Sequence, residues 1–271
     1  MKELFFEERG IAYRTNEFQA ERQTLVFVHG LSGSCSAWYP YEARFENDFN
    51  ILTFDLRGHG RSQKQFFYTA YAPELMADDI IALLRHTGIE RCIIIGHSFG
   101  TLLALSAIKQ APQKFSAAVF LSPTYGASTA WWLPFGFVLA AVFGTLSLLL
   151  PFNSKGRGRV DYAQYVPTWD WNLQRIFEDI RITSLRVYIF CMRQIYSRDT
   201  KDWWLGLTIP VLLIHGKRDS VISSRNTEKL RTLMPTAKYI LLEKGNHILA
   251  VNNVPEVVKS IESFVAGAPN R

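Results

Sequence analysis

Gly96-His97-Ser98-Phe99-Gly100 directly follows Ile93-Ile94-Ile95. A serine between two glycines, after a β-branched run, reads either as a plain turn or as a nucleophile. The pattern is G-x-S-x-G, in which a sharp strand-to-helix turn holds the serine hydroxyl clear of the backbone. Small residues two positions either side let strand and helix close. A hydroxyl is a poor nucleophile at neutral pH, so it needs a base, the base needs an orienting acid, and the oxyanion needs donors. Asp219 follows His215-Gly216-Lys217-Arg218, and His247 follows Gly245-Asn246. Each sits after an apolar run, in the order serine, acid, base. Asp219 alternatively reads as a loop or capping residue, and His247 as a structural loop histidine. Two backbone N–H groups, of Phe99 and Leu31, are the oxyanion candidates. Phe99 opens a helix, where amides are free and the dipole favours an anion.

The elements needed to position these groups are visible as patterns. Residues 4–8 and 11–15 read as short strands around Gly10. Thr24–Val28, Asn50–Phe54, Cys92–Ile95, Ala117–Leu121, Val211–His215 and Tyr239–Leu242 are apolar runs suited to strands buried on both faces. Helices are predicted over Pro73–His86, with Asp78 and Asp79 outward, over 98–110, 224–233 and 255–266. Strands alternating with helices predict an α/β fold with a mostly parallel central sheet. The rhythm breaks between 123 and 204, which reads as an inserted, apolar, helical cap. The predicted organisation is a core of 1–122 and 205–271 and a cap of 123–204.

Five stretches in this order resemble the α/β-hydrolase superfamily. They are His29-Gly30-Leu31, Asp55-Leu56-Arg57-Gly58-His59-Gly60-Arg61-Ser62, Gly96-His97-Ser98-Phe99-Gly100, His215 to Asp219, and Gly245-Asn246-His247. The resemblance covers residues 20–122 and 205–266. It implies that Asp55 and Arg57 brace the active-site loops. The serine sets the chain apart from the similar dehalogenase and epoxide-hydrolase branches, which place an aspartate there. Some members carry the acid one strand earlier, but here that strand ends Leu121-Ser122-Pro123-Thr124, without a carboxylate.

Composition narrows the rest. The net charge is +6 in 271 residues, and the basic residues are scattered, so no nucleic-acid stripe is expected. Three distant cysteines show neither metal spacing nor a disulfide framework. No metal or cofactor is expected. Acids in the first ten residues argue against a signal peptide, so a cytoplasmic protein, peripheral to a membrane at most, is expected.

No Asp, Glu, Lys or Arg occurs between residues 115 and 154. The apolar run within it is long enough to span a bilayer. One crossing would separate Ser98 from Asp219 and His247, so the chain must enter and leave on one side. Three readings stay open: a cap helix lining an acyl pocket, a segment through 130–152 lying in a membrane interface, and a homodimer contact. Trp131, Trp132, Phe135 and Phe137 are the substrate-binding candidates. Residues 172–196 carry apolar residues at helical spacing, with Arg175, Arg181, Arg186 and Arg193 expected outward as a solvated face or a dock for an acidic carrier protein.

The expected activity is a serine hydrolase acting on a small-molecule ester with an apolar acyl part, of carboxylesterase or monoacylglycerol-lipase type by the resemblance. The alternatives are a thioesterase or methyl esterase on carrier-bound acyl chains, a carbon–carbon bond hydrolase, and an apolar-ligand receptor without turnover.

Overall fold

Eight strands form one sheet in the order β1-β2-β4-β3-β5-β6-β7-β8. They are β1 (Lys2–Phe6), β2 (Ile11–Thr15), β3 (Thr24–Val28), β4 (Asn50–Phe54), β5 (Cys92–His97), β6 (Phe115–Leu121), β7 (Val211–Gly216) and β8 (Lys238–Leu242). The computed structural model describes residues 1–123, 133–149, 151–196 and 199–267. β1 and β2 pair antiparallel, as do β2 and β4, and every pairing from β4 through β3 to β8 is parallel. The first strand lies two residues earlier than its pattern suggests. Its outward residues are mostly exposed, as an edge strand permits, so periodicity marks its limits poorly.

The helices are α1 (Tyr39–Phe45), α2 (Pro73–His86), α3 (Phe99–Gln110), α4 (Leu133–Leu146), α5 (Leu173–Thr183), α6 (Leu185–Tyr196), α7 (Lys201–Leu205), α8 (Ser224–Leu233), α9 (Leu249–Asn252) and α10 (Val254–Val265). Alternating strand residues feed two cores. Val26, Ile94 and Leu213 pack with α2 and α3 on one face, and Phe27, Ile95 and Ile214 pack with α1 and α10 on the other. Burial on both faces explains the unbroken apolar runs.

Helices α4 to α7 lie between β6 and β7. α6 rests on the core through Phe190, whose ring meets Tyr68 and Tyr71. Trp204 of α7 packs edge-on against Phe120 of β6. Arg159, from this insertion, reaches into the core and donates to Asp55 Oδ2 at 2.8 Å. No helix among the described residues is long and apolar enough to cross a membrane.

Two expectations about charge fail. Asp79 is buried, not outward, because Arg57 donates to both its carboxylate oxygens, at 2.7 and 2.6 Å. Arg175 and Arg186 are also buried. Arg175 finds Asp179 at 2.8 Å, and Arg186 lies over the rings of Phe66 and Phe152. Arg193 is half-buried over Tyr68, and only Arg181 of the four is exposed as expected. Helical spacing shows which positions face inward but not which cations have partners waiting there.

Candidate active site

The site begins with two close approaches. A Cβ on Gly96 would lie 2.9 Å from the carbonyl oxygen of Gly100, and one on Gly100 would lie 2.3 Å from that of Val28. Only hydrogen fits at either place, so β5 turns directly into α3. Ser98, at the turn, adopts φ 50° and ψ −113°. A left-handed φ is costly for a residue with a Cβ and persists only where the surroundings impose it. Ser98 N donates to Leu121 O at 2.9 Å, which fixes the turn to the neighbouring strand.

His247 Nε2 lies 3.0 Å from Ser98 Oγ, and Nδ1 lies 2.8 Å from Asp219 Oδ2. The carboxylate can only accept, so Nδ1 carries the proton and Nε2 is free to accept the serine's. Asp219 Oδ1 accepts from the amides of Val221 and Ile222, at 2.9 and 2.7 Å. Burial opposes the charge on Asp219. Hydrogen bonds from His215 and His247 and from the Ile222 amide outweigh it, and the carboxyl is held well below its ordinary range.

Phe99 is the first residue of α3, so its amide has no acceptor within the helix. The loop after β3 lies against the same turn: a Cβ on Gly30 would be 2.9 Å from His97 Nδ1. A reverse turn from Gly30 to Gly33 holds Leu31, with Gly33 N donating to Gly30 O at 3.1 Å. The structure therefore brings together Ser98, Asp219, His247 and the loops of Leu31 and Phe99. Trp131 and Trp132 lie outside the described residues. Phe135 and Phe137 fall on α4, and their side chains lie outside the described residues as well.

Three other buried groups hold this arrangement, and sequence reasoning gave them no such role. His97 Nε2 donates to His247 O at 2.8 Å. Burial, reinforced by the nearby His247, lowers its pKa to about 3, so it stays neutral. His215 lies 3.2 Å from Asp219 Oδ2, the same oxygen that His247 Nδ1 contacts. Its Nε2 also faces Ile222 O at 2.9 Å, so this nitrogen donates, and Nδ1 accepts from Thr227 Oγ1 at 2.6 Å. Asp170, from the insertion, accepts from His247 N at 2.8 Å. Its other oxygen accepts from Ser220 N and Ser220 Oγ, at 2.9 and 2.8 Å. One insertion carboxylate thus ties the loop of the acid to the loop of the base. Arg175 donates to the Asp170 carbonyl at 2.8 Å, and Tyr162 donates to Asp179 at 2.8 Å. Burial raises the Asp179 carboxyl to about 7 despite the Arg175 charge.

His29 and Asp55 serve the frame. His29 Nε2 accepts from Leu56 N at 2.9 Å, and burial lowers its pKa to about 3. Asp55 accepts from Cys35 N, Arg61 N and Arg159 Nε, at 2.8, 2.9 and 2.8 Å. The three cysteines are buried and free. Among the described residues, no cluster of three or more His, Cys, Asp or Glu side chains could hold a metal ion.

A family model described as alpha/beta hydrolase fold matches residues 23–254. A Haemophilus influenzae protein named "Putative esterase/lipase" is 25% identical over 92% of this chain and 87% of its own. A Pseudomonas syringae pv. syringae protein named "Putative carbamate hydrolase RutD" is 26% identical over 92% of this chain and 96% of its own. Among solved structures, a thermophilic esterase from Thermogutta terrifontis superposes with a TM-score of 0.74 at 17% identity, covering 94% of this chain and 93% of that one. At that identity the likeness concerns the fold.

Proposed function

Because the chain belongs to the alpha/beta hydrolase fold family, we propose that it is a serine hydrolase that cleaves carboxylic esters with an apolar acyl part through a covalent acyl-enzyme. The observation carrying this reading is the line of contacts from Ser98 Oγ to His247 Nε2 at 3.0 Å and from His247 Nδ1 to Asp219 at 2.8 Å.

In the first half-reaction Ser98 Oγ attacks the ester carbonyl carbon while its proton passes to His247 Nε2. The amides of Phe99 and Leu31 receive the oxyanion. Asp219 keeps Nδ1 protonated and stabilises the imidazolium without taking its proton. Collapse breaks the bond to the alkoxy oxygen, which leaves with the proton from Nε2. In the second half, water gives a proton to His247, attacks the acyl carbon, and releases the acid and Ser98. The charge-free stretch 115–154, in the segment that would roof Ser98 as a cap, suits an apolar acyl part. The names of the relatives above, esterase/lipase and carbamate hydrolase, agree with acyl transfer to serine and divide over the leaving group.

A fluorophosphonate probe should label the wild type and not Ser98→Ala. The variant should lose roughly 10⁶-fold in kcat. A p-nitrophenyl ester series of graded chain length should show kcat/KM rising with acyl length. An unlabelled wild type, or a Ser98→Ala protein that still hydrolyses these esters, would refute the proposal.

A further inference from the structure

Helix α4 turns one face outward and the other inward. Val138, Leu139, Val142, Phe143 and Leu146 recur at helical spacing on the outer side, each between 48% and 62% exposed. On the inner side Gly144 is buried and approaches Phe190 and Ile189 of α6. The apolar surface continues past the helix in Leu148, Leu149 and Phe152, all exposed. Contiguous exposed apolar surface on this scale marks a site of interaction.

The same surface ends at a cleft of about 310 Å³ between the insertion and the core, lined in part by Ser147, Pro151 and Phe152. Four cations also line it, Lys64, Arg157, Arg181 and Arg186, with no carboxylate among the lining residues. Three of them rest on carbonyl oxygens. Lys64 Nζ donates to Lys155 O at 3.2 Å, Arg157 to Arg181 O at 2.8 Å, and Arg186 to Ser147 O at 3.1 Å. Arg181 also pairs with an acid, Glu178, at 2.7 Å. Burial, with Arg157 adding to it, lowers the Lys64 amine to about 8. Lys64 and Arg186 are almost fully buried, whereas Arg157 and Arg181 stand exposed at the mouth.

We propose that this face docks on the surface of an anionic lipid bilayer, with the outer side of α4 in the acyl boundary and the cationic cleft taking an anionic headgroup. The juxtaposition specifies the occupant. A soluble protein partner for the apolar face would not need four cations at its edge, two of them exposed at the mouth of the cleft. A free small anion would not need the apolar face. An anionic amphiphile assembled in a layer matches both, since interfacial binding sums buried apolar area and attraction to acidic headgroups. The helix cannot cross instead: its 14 residues reach about 21 Å, against about 30 Å of hydrocarbon.

The test is flotation with vesicles of phosphatidylcholine alone and of phosphatidylcholine mixed with phosphatidylglycerol. It uses wild type and Ser98→Ala, so that binding is read apart from turnover. Both should float with the mixed vesicles and bind the zwitterionic ones at least tenfold more weakly. Val142→Asp with Phe143→Asp should abolish flotation. Arg157→Gln and Arg181→Gln should each weaken binding to the mixed vesicles about fivefold and leave the zwitterionic value unchanged. An unchanged melting temperature certifies that the variants fold. The proposal is overturned if the wild type fails to float. Equal binding to both vesicle types, or flotation that survives both sets of variants, also overturns it. So does light scattering that shows a dimer dispersed by Val142→Asp with Phe143→Asp in the absence of vesicle binding.

Discussion

His97 and Asp170 hold the backbone of His247 from opposite sides, and they belong to regions built on different rules. His97 is next to Ser98 on the strand–helix turn, and it grips the carbonyl of His247. Asp170 stands in the insertion, 77 residues before His247, and it grips the amide. The turn is shaped by backbone sterics: two glycines without room for a Cβ, a serine forced to positive φ, and a neutral imidazole. The insertion attaches by charge as well as by the packing of Phe190 and Trp204. Besides Asp170, its Arg159 enters the core to meet Asp55. The comparison teaches that geometry for chemistry is set by the core, while its alignment depends on ties that the insertion supplies.

The largest expected effect tests the core half. Asp219→Asn should lower kcat about 10⁴-fold, by favouring the wrong tautomer of His247, with little change in KM. It should also change acid stability. The folded carboxyl is held well below its ordinary range, so its contribution is full above the unfolded value of about 4 and is lost as pH falls below it. Urea midpoints of the variant between pH 5 and pH 3 should therefore fall less steeply than those of the wild type. An unchanged slope would mean that His215 and His247 do not stabilise the ionised form.

The insertion half is tested by Asp170→Asn. An amide keeps one acceptor and replaces the other with a donor, so it cannot serve both His247 N and Ser220. Misplacing a base by even 1 Å can cost up to about 10² in rate. We expect a loss of that size in kcat, slower fluorophosphonate labelling to match, and an almost unchanged KM. A wild-type kcat would show that the core positions His247 alone.

Gly100→Ala bears on sterics, with a smaller effect. Its Cβ would meet Val28 O at 2.3 Å and His29 O at 2.6 Å, both backbone atoms that cannot swing aside. Forcing backbone apart in a packed site costs about 1–3 kcal/mol. Urea denaturation should show that loss, with kcat falling as well because the loop carrying Leu31 is displaced. A variant as stable as the wild type would put the cause of the elbow elsewhere.

These expectations follow how legible the molecule is. The strands from β3 to β8 announce themselves because each is a short apolar run ending at a glycine or polar residue. Ser98, Asp219 and His247 could be picked out because each lies on the loop at such a strand's end, where the fold collects them. Asp170 gives no local signal. It lies in a stretch of tryptophans and polar residues, and its partners, Ser220 and His247, are 50 and 77 residues away. Burial of Arg175, Arg186 and Asp79 is hidden for the same reason, since it depends on partners that periodicity does not reveal. His215 had a readable place on β7, and its contact with Asp219, four residues on, was the closest of these to inference.

The smallest effect on stability has the most to say about the insertion's surface. Glu178 pairs with the exposed Arg181 three residues along α5. Solvent screens such a surface pair, so Glu178→Gln should barely move the melting temperature. The charge change is another matter. Glu178 is the carboxylate paired with a cation of the cleft, and removing it leaves the local field more positive without touching the apolar face. Binding to phosphatidylglycerol-containing vesicles should therefore tighten, by up to about fivefold, while binding to phosphatidylcholine stays the same. Tighter binding to both would implicate the apolar face alone. No change in either would show that the cations around the cleft do not feel the bilayer, and the insertion would then differ from the core only in how it is attached.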